Sequence, residues 1–452
     1  MNMKQLIKNK FNEITANKTF MVCALLTTIY LISGYCKWLE IMMSVCALGF
    51  MIVLPLQNAF CIFIYLHCFT LSNIGYDSCF IVTLIGFCLI LLVKYWLGVK
   101  KGEYTLYKKT ISILCFFLSI TLVISLFRPL YRGAWLYLTY IPFIYFVFAM
   151  RKEFNIDQGM NYMFGGLLTS GLLATITLIF PGFQYIPFTD GRFSAFINNT
   201  NYMYMRALFV LAYFMYRFLN KDISKWKFLV IFITCGILTM ASLSKTGIAM
   251  FALLCLAFVV LFLKQDFKNN IRIVSIFFII LLIMSAICFK FILAIINRFV
   301  SDFKGGNFWD SLLTGRNEIW SCYLSACFSS PFKFLFGHGL LAHEVYIPSQ
   351  MQSRASHNLY IFMLYRFGLI GCIFIGLFIY KIIKSAKLNK PQFIVYLPML
   401  FLLVESLFDN TFKCYHFTYF VFATMILFAD KILKQDSKDN KKKEMFEQIN
   451  KN

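Results

Sequence analysis

Charged residues are few in this sequence. Asp, Glu, Lys and Arg together make up 14% of 452 residues, whereas 60% are hydrophobic and the mean hydropathy is +0.72. So little charge cannot give a soluble globular protein of this size a polar surface. The apolar residues instead form repeated runs that are long enough to cross about 30 Å of hydrocarbon. We therefore predict a polytopic membrane protein with one membrane domain and no large soluble domain.

Patterns for metal binding and for secretion are also missing. The 15 cysteines include no Cys-x-x-Cys pair, and most of them lie within apolar runs, where a thiol behaves as a small hydrophobic group. Cys322 and Cys327 lack the nearby His or Asp cluster that a metal site requires. We therefore assign neither a metal nor a disulfide. The basic N-terminal segment has no small-residue cleavage site, so we do not expect a cleaved signal peptide.

Fourteen apolar runs divide the chain into predicted membrane spans. We predict an all-α polytopic transmembrane bundle of about 12 to 14 spans. The runs lie at residues 20–34, 41–56, 59–73, 78–94, 110–127, 134–150, 160–181, 202–218, 227–243, 246–263, 273–296, 358–380, 392–408 and 415–430. If the N-terminus is cytoplasmic, most of the 43 Lys and Arg residues fall on inner segments, as the positive-inside rule requires. Both termini are then cytoplasmic.

This orientation divides the chain into three regions. The membrane domain covers residues 1–430 and includes one large extracytoplasmic loop at 297–357, in which we expect short amphipathic helices. A basic cytoplasmic tail follows at 431–452. The net charge of +23 then reflects topology and attraction to anionic lipid, so we predict no nucleic-acid partner. Because the loop is by far the largest extramembrane piece, we expect the function to face outward.

Unusual polar residues concentrate on this outer side. An Arg near or within a span costs a few kcal/mol unless it is paired or faces a wet cavity, which makes Arg192 and Arg206 candidate ligands for a charged substrate. Asn201 lies in an Asn-rich cluster where the same span begins. Lys245 lies in the tight turn SLSKT between two spans and is expected to point across the outer mouth of the bundle. The structural alternatives are an interfacial anchor for Arg192 and a helix-hairpin cap for Lys245.

The large loop contains its own helical pattern. In TGRNEIWSCYLSACFSSPF, apolar residues recur at helical spacing and Thr314 is a plausible N-terminal cap. We predict a helix that lies on the outer face of the membrane. Arg316 falls in its first turn, where the helix dipole disfavours a cation, so its presence there points to function rather than to structure.

Two further polar motifs follow in the loop. In FGHG, His338 is expected to lie in a tight glycine turn. In SRASHNLY, Arg354, His357 and Asn358 occur where a long polar stretch gives way to a span. We predict that Ser356 caps this span, so that the outward-pointing N–H groups of its first turn favour an anion.

Five short motifs occur in one order between residues 190 and 371. They are Arg192 followed by INNTNY, then SLSKTG, TGRNEIW and FGHG, and finally SHNLY followed by GLIG. Together they resemble the O-antigen ligase and polymerase superfamily, in which the last three lie in one large periplasmic loop and the helix after it. One departure is Lys245, since the family commonly carries Arg there. A Lys neutralises a phosphate as a point charge but cannot bind it bidentately.

The resemblance implies a glycosyltransferase of the bacterial inner membrane that needs no metal and no cofactor. Its donor would be an undecaprenyl-diphosphate-linked oligosaccharide, and the glycan would pass with inversion to a hydroxyl of an acceptor sugar. Membrane lipid, a flippase and a chain-length regulator are the further partners that such an enzyme implies.

The chemistry of this reaction indicates roles for the candidate residues. A metal-free enzyme needs fixed cations to stabilise a diphosphate leaving group, and we expect Arg192 and Arg316 to do so as catalytic residues. His357 is expected to accept the proton of the acceptor hydroxyl. The predicted substrate-binding residues are Arg206, Lys245, Asn201, Asn358, Arg354 and His338. Asp190, Asp310 and Glu344 are alternative bases, in which case His357 would only cap the helix or lie at the interface.

Three functions fit these features. Fourteen spans, several of them rich in Phe, favour a polymerase that joins repeat units of O-antigen or capsule. A ligase that transfers finished chains to lipid A–core is the alternative within the family. A lipid-linked oligosaccharide flippase is the alternative from another class. A flippase is expected to distribute charge along a cavity open to both sides, whereas this chain gathers charge at the outer mouth.

Overall fold

The computed structural model describes most of the helical part of the chain. The described residues are 3–72, 78–104, 143–265 and 316–408, apart from gaps at 144, 181, 184, 186, 190–191, 198, 340–343 and 386–396, together with isolated residues between 267 and 297. The predicted spans at 110–127 and 415–430, most of the spans at 134–150 and 273–296, and the tail at 431–452 fall outside them. Within the described residues the fold is helical with two short hairpins, which confirms the all-α prediction.

The N-terminal part of the chain forms four helices: α1 (Met3–Ser33), α2 (Trp38–Val53), α3 (Leu56–Leu66) and α4 (Ser78–Lys100). Helix α1 begins well before the predicted span at residue 20, because the polar segment before that span contains no Gly or Pro to stop a helix. Helix α3 is shorter than its apolar run and is buried on all sides, so that it forms part of the bundle core. After α3, the N–H groups of Thr70 and Leu71 both donate to the Phe196 carbonyl, each at 2.9 Å.

The described residues from 143 to 265 form four more α-helices: α5 (Ile156–Thr177), α6 (Thr200–Leu219), α7 (Lys225–Ala241) and α8 (Lys245–Gln265). Each begins directly after a residue whose side chain accepts hydrogen bonds from the N–H groups of the first turn. These N-caps are Asn155, Asn199, Ser224 and Ser244. Every residue of α6 from Met203 to Tyr216 is buried, which makes α6 the central helix of the described bundle.

The outer segments form small elements between the helices. Strands β1 (Phe188–Thr189) and β2 (Arg192–Phe193) pair antiparallel ahead of α6. In the large loop, α9 (Arg316–Phe328) and α10 (Pro331–Phe336) are followed by the hairpin of β3 (Val345–Ile347) and β4 (Gln352–Arg354). The chain then enters α11 (Leu359–Ser385), which kinks at Gly368, and α12 (Leu397–Phe408).

Helix length and composition support membrane insertion. Among the described residues, three helical segments are long and apolar enough to cross a membrane: Val82–Lys100, Lys245–Gln265 and Leu359–Leu377. Shorter apolar helices cover Asn17–Ser33, α2 and α3. Many large apolar side chains on these helices are exposed, as expected where a bilayer rather than water surrounds them.

Candidate functional site

The ends of four helices meet at one place. At the start of α11, the Asn358 side-chain amide donates to the Leu407 carbonyl of α12 at 3.1 Å. One turn into α6, the Tyr204 hydroxyl donates to the Glu405 carboxylate of α12 at 2.7 Å. The Tyr204 ring lies against Gly247 in the first turn of α8. These contacts bring the ends of α6, α8, α11 and α12 together.

The turn between α7 and α8 places Lys245 beside this junction. A Cβ atom at Gly247 would lie 2.7 Å from Cγ of Tyr204, so only glycine fits there. Ser244 caps α8 by accepting from the Gly247 N–H at 3.3 Å, and Leu243 adopts a left-handed φ of 49°. The Ser and Gly of SLSKTG therefore have structural explanations. Lys245 lies in the first turn of α8, where a cation opposes the helix dipole.

His357 has an unusual backbone conformation. Its φ is 49°, a left-handed value that costs a residue other than glycine about 1–2 kcal/mol. The neighbouring peptides hold it there, because Trp320 of α9 donates from Nε1 to the Ser356 carbonyl at 2.7 Å and the Ser356 hydroxyl donates to the Asn358 carbonyl at 3.0 Å. Strain of this kind at a half-exposed histidine is typical of functional sites.

The cap of α11 differs from the prediction. Asn358, not Ser356, caps the helix, since its Oδ1 accepts from the Ile361 N–H at 3.1 Å. The Asn358 side chain is buried and its amide nitrogen already bonds to α12. Ser356 instead stabilises the bend that precedes the helix. Both ends of the Asn358 amide are thus engaged within the protein, which gives Asn358 a structural task.

Helix α9 carries Arg316 to the start of α11. Arg316 lies one turn before Trp320, so the two residues share a face of the helix, and Trp320 is bonded to Ser356. Arg316 is half-buried. The helix therefore places a guanidinium group on the side of α9 that faces the bend containing His357.

Much of the apolar face of α9 packs within the protein. The position of the helix on the outer face of the membrane stays a prediction. Ile319, Tyr323 and Cys327 are buried in a cluster with Ile347 of β3 and Tyr365 of α11. The Tyr323 hydroxyl donates to the Arg354 carbonyl at 2.9 Å, so the hairpin folds back over the helix. Burial raises the pKa of the Tyr323 hydroxyl well above its usual value and the pKa of the Cys327 thiol to about 11. Cys327 is therefore a packing residue and not a reactive thiolate at neutral pH.

His338 lies in a joint between the loop and α11. Its N–H donates to the Tyr365 carbonyl at 2.8 Å, and the Gly339 N–H donates to the Arg366 carbonyl at 2.9 Å. The His338 ring stacks on Tyr365 with 4.3 Å between centroids, and its Nε2 lies 3.0 Å from the Ala326 carbonyl oxygen. The ring is buried between these groups, and Gly337 and Gly339 on either side have left-handed φ values of 74° and 91°.

The other predicted site residues differ in how deeply they are buried. Arg206 is fully buried in α6, and its Nη1 donates to the Tyr202 carbonyl at 2.7 Å. Asn201 is half-buried in the first turn of α6, and Arg192 is half-buried in β2, which contacts α7. Arg354 is exposed on β4. Glu344 is half-buried directly before β3, whereas Asp190 and Asp310 lie outside the described residues.

Buried charged residues that were not among the predictions lie on α11 and α12. Glu405 is fully buried within the apolar run LPMLFLLVESLF, and Arg366 is buried within α11, with its guanidinium carbon 4.6 Å from the centre of the Phe362 ring. The signal that could have found them is a single charge within a predicted span, which is costly unless it is paired. Among the described residues, no group of three or more His, Cys, Asp or Glu side chains could hold a metal ion.

Comparison with known proteins supports the resemblance over about a third of the chain. Residues 229–376 match the family model described as O-antigen ligase. The matched region runs from α7 through the large loop to α11 and contains Lys245, Arg316, His338, Arg354, His357 and Asn358. It does not reach Arg192, Asn201, Arg206 or Glu405. No curated protein and no solved structure matches the chain. The match supports the resemblance to the superfamily and does not separate a polymerase from a ligase.

Proposed function

We propose that this protein is a membrane glycosyltransferase that polymerises O-antigen or capsular repeat units on the outer side of the membrane. The donor is an undecaprenyl-diphosphate-linked oligosaccharide, and the acceptor is a hydroxyl of another lipid-linked repeat unit. The observation that carries the proposal is the strained backbone of His357, whose neighbours Ser356 and Asn358 are bonded to α9 and α12, in the region that matches O-antigen ligase.

The proposed reaction is a single displacement. The acceptor oxygen attacks the anomeric carbon of the donor, the bond from that carbon to the diphosphate oxygen breaks, and undecaprenyl diphosphate leaves. The proton of the acceptor hydroxyl passes to the neutral imidazole of His357. Because one bond forms as the opposite one breaks, the anomeric configuration inverts. No metal is part of this proposal.

The leaving diphosphate carries more charge than the donor, so fixed cations stabilise the transition state more than the ground state. Arg316 is the best placed of the proposed cations, since its helix is bonded to the peptide before His357. Lys245 and Arg192 complete the proposed cationic rim. Arg206, which lies in the core, is more suited to fixing the start of α6 than to direct contact with the donor.

A ligase is the second candidate, and the description of the matching family model favours it. It would use the same residues in the same roles, with lipid A–core as acceptor. The flippase alternative is less well supported, because the candidate cations other than Arg206 lie around one end of the described bundle rather than along it.

An assay that varies the acceptor distinguishes these three functions. The purified protein in proteoliposomes is given undecaprenyl-diphosphate-linked repeat units, either alone or with lipid A–core. We expect polymer with repeat units alone, seen as a ladder by gel electrophoresis and mass spectrometry. Transfer only to lipid A–core would replace the polymerase by the ligase. Movement of the donor across the bilayer with no new glycosidic bond would replace both by the flippase.

The role of His357 is tested by His357→Gly with added imidazole. Glycine adopts the left-handed φ at no cost, so the backbone is preserved while the base is lost. We expect polymerisation to fall by about 10²- to 10⁴-fold, donor binding to persist, and free imidazole to restore part of the rate. The matched control is Met351→Gly, at a left-handed position in the same loop, which should keep its activity.

Two outcomes would reject the assignment. A near wild-type rate for His357→Gly would make His357 a structural residue and move the search for the base to Asp190, Asp310 and Glu344. A large loss that imidazole does not restore, with lowered thermal stability, would mean that the ring supports the bend rather than the chemistry.

A further inference from the structure

Three apolar side chains of the large loop are exposed near α11. Phe328 at the end of α9 is 61% exposed, and Phe332 and Leu335 of α10 are 62% and 37% exposed. We propose that these three residues form an aromatic ledge that is inserted in the outer leaflet of the bilayer and contacts phospholipid. The rings are held in place by neighbours, since Phe328 stacks on Phe334 with 5.1 Å between centroids, and Phe332 packs at a tilt on Phe336 with 4.9 Å between centroids.

The aromatic ledge is fixed rigidly to α11. Gly337 ends α10 with a left-handed φ of 74°, and a Cβ atom there would lie 2.5 Å from both the Arg366 carbonyl oxygen and the Gly368 nitrogen. A Cβ atom at Gly368 would in turn lie 2.4 Å from the Leu335 carbonyl oxygen. The two backbones touch with no side chain between them. The ledge therefore cannot turn away from the helix without breaking this contact.

The aromatic ledge continues a surface that already faces lipid. Below the kink, Leu369, Ile373 and Leu377 are exposed at a spacing of four residues, which places them in one stripe along α11. This part of α11 belongs to a segment apolar enough to cross the membrane. Because the Leu335 backbone touches Gly368, the ledge begins where the stripe reaches the kink. One continuous apolar surface runs from α11 onto α10 and the end of α9.

The length of α11 sets the depth of the aromatic ledge. From Gly368 to residue 381, where the basic inner segment begins, an α-helix rises about 20 Å. The hydrocarbon layer is about 30 Å thick, so the kink and the ledge attached to it fall within the outer leaflet. From Gly368 outward to His357 the chain rises about 16 Å, which brings His357 out of the hydrocarbon to the level of the lipid headgroups.

The composition of α10 fits this depth. Aromatic rings favour the boundary between headgroups and hydrocarbon, and Lys333, half-buried in the same short helix, has a stem long enough to reach lipid phosphate. Trp320 joins α9 to the peptide before His357. If the proposed function holds, the ledge therefore sets the height of His357 and Arg316 relative to the diphosphate of the lipid-linked donor.

The test is site-specific photocrosslinking that does not depend on turnover. Benzoylphenylalanine replaces Phe332 in one variant and Met351 in another, in proteoliposomes of phosphatidylethanolamine and phosphatidylglycerol. Met351 is the matched control because it is 82% exposed in the same loop but lies in the β3–β4 turn. This turn contacts Glu318 near the start of α9, through Ser349, whereas the ledge lies at the other end of that helix.

We expect a phospholipid adduct, detected by mass spectrometry, at position 332 and none above background at position 351. The new residue is itself aromatic, so the stacking position is preserved. If the variant at Phe332 does not fold, the same replacement is made at Phe328, and the phospholipid adduct is measured there. Equal adduct at ledge and control, or no adduct at either ledge position, would overturn the proposal. If the adduct forms but the protein shows no polymerase activity, the proposed function is contradicted and the proposed contact with lipid is not.

Discussion

At the scale of single residues, the pair of Tyr204 and Glu405 shows how the bundle holds the candidate site. Both side chains are buried, and the hydroxyl donates to the carboxylate at 2.7 Å across the contact between α6 and α12. The same Tyr204 ring requires the glycine at position 247. One tyrosine therefore aligns the helix that begins with Lys245 and the helix that is bonded to Asn358.

This pair is measurable by a double-mutant cycle. Tyr204→Phe removes one donor from a buried carboxylate, and a hydrogen bond to a charged group contributes about 1.5–3 kcal/mol. We expect Tyr204→Phe and Glu405→Gln each to lower the free energy of unfolding in detergent, and the double variant to lose less than the sum of the two. Additive losses would show that the two side chains do not interact. Tyr213→Phe, also in α6 but bonded to Asp157 at the opposite end, should not couple to Glu405→Gln.

At the scale of elements, the kink of α11 joins the membrane bundle to the large loop. Above Gly368, the helix packs on α9 through Tyr365 and on α12 through Asn358 and Tyr360. Below it, exposed apolar residues lie along the helix. The carbonyl groups that the kink releases accept from His338 and Gly339, which explains why FGHG and FGLIG occur in the same chain.

Replacing either of two glycines of α11 by alanine should change the stability of the protein in opposite directions. Gly368→Ala places a Cβ atom 2.4 Å from backbone atoms of α10 and forces a left-handed φ of 63°, which alone costs about 1–2 kcal/mol. We expect a lower melting temperature and faster proteolysis of the loop. Gly376→Ala meets no atom within 4 Å and should be neutral or stabilising by about 0.5–1 kcal/mol. Equal stability of the two variants would mean that the joint does not form.

At the scale of the whole molecule, charged residues differ between the two ends of the helical bundle. The start of α5 and the end of α6 are joined by Arg217, which pairs with Asp157 and, at 2.9 Å, with Asp222. Lys245 and Arg316 lie toward the other end, and the basic residues of the predicted inner loops outnumber them. The positive-inside rule therefore predicts that the large loop lies outside.

This orientation is tested with two single-cysteine variants. Cys36 is exposed between α1 and α2 and should be outside, whereas Glu103 is exposed after α4 and should be inside. In spheroplasts, an impermeant maleimide should label a protein with Cys36 as its sole cysteine. A cysteine-free protein carrying Glu103→Cys should be labelled only after permeabilisation. Labelling of the second variant in sealed cells would invert the topology and place the candidate site inside.

The sequence predicted those features that depend on neighbouring residues. Apolar runs place α5 to α8 within a few residues of their observed positions, because hydropathy and helix periodicity are local properties of the chain. The turn SLSKT and the motif FGHG were located for the same reason, since Ser244 and Gly337 act on their own turns. The start of α1 was missed because hydropathy detects the apolar part of a helix and not its polar extension.

Only the tertiary structure determined which residues distant in the sequence come into contact. The sequence by itself determined a helical membrane protein and the order of its polar motifs, but Tyr204 and Glu405 are 201 positions apart, and only the folded chain brings them together. The same holds for the face of α9, which is apolar whether lipid or the β3–β4 hairpin covers it. An apolar stripe specifies that it must be buried and not by what, because the hydrophobic effect has no direction. Hydrogen bonds such as those of Asn358 and Trp320 do have direction, and they fix His357 where it lies.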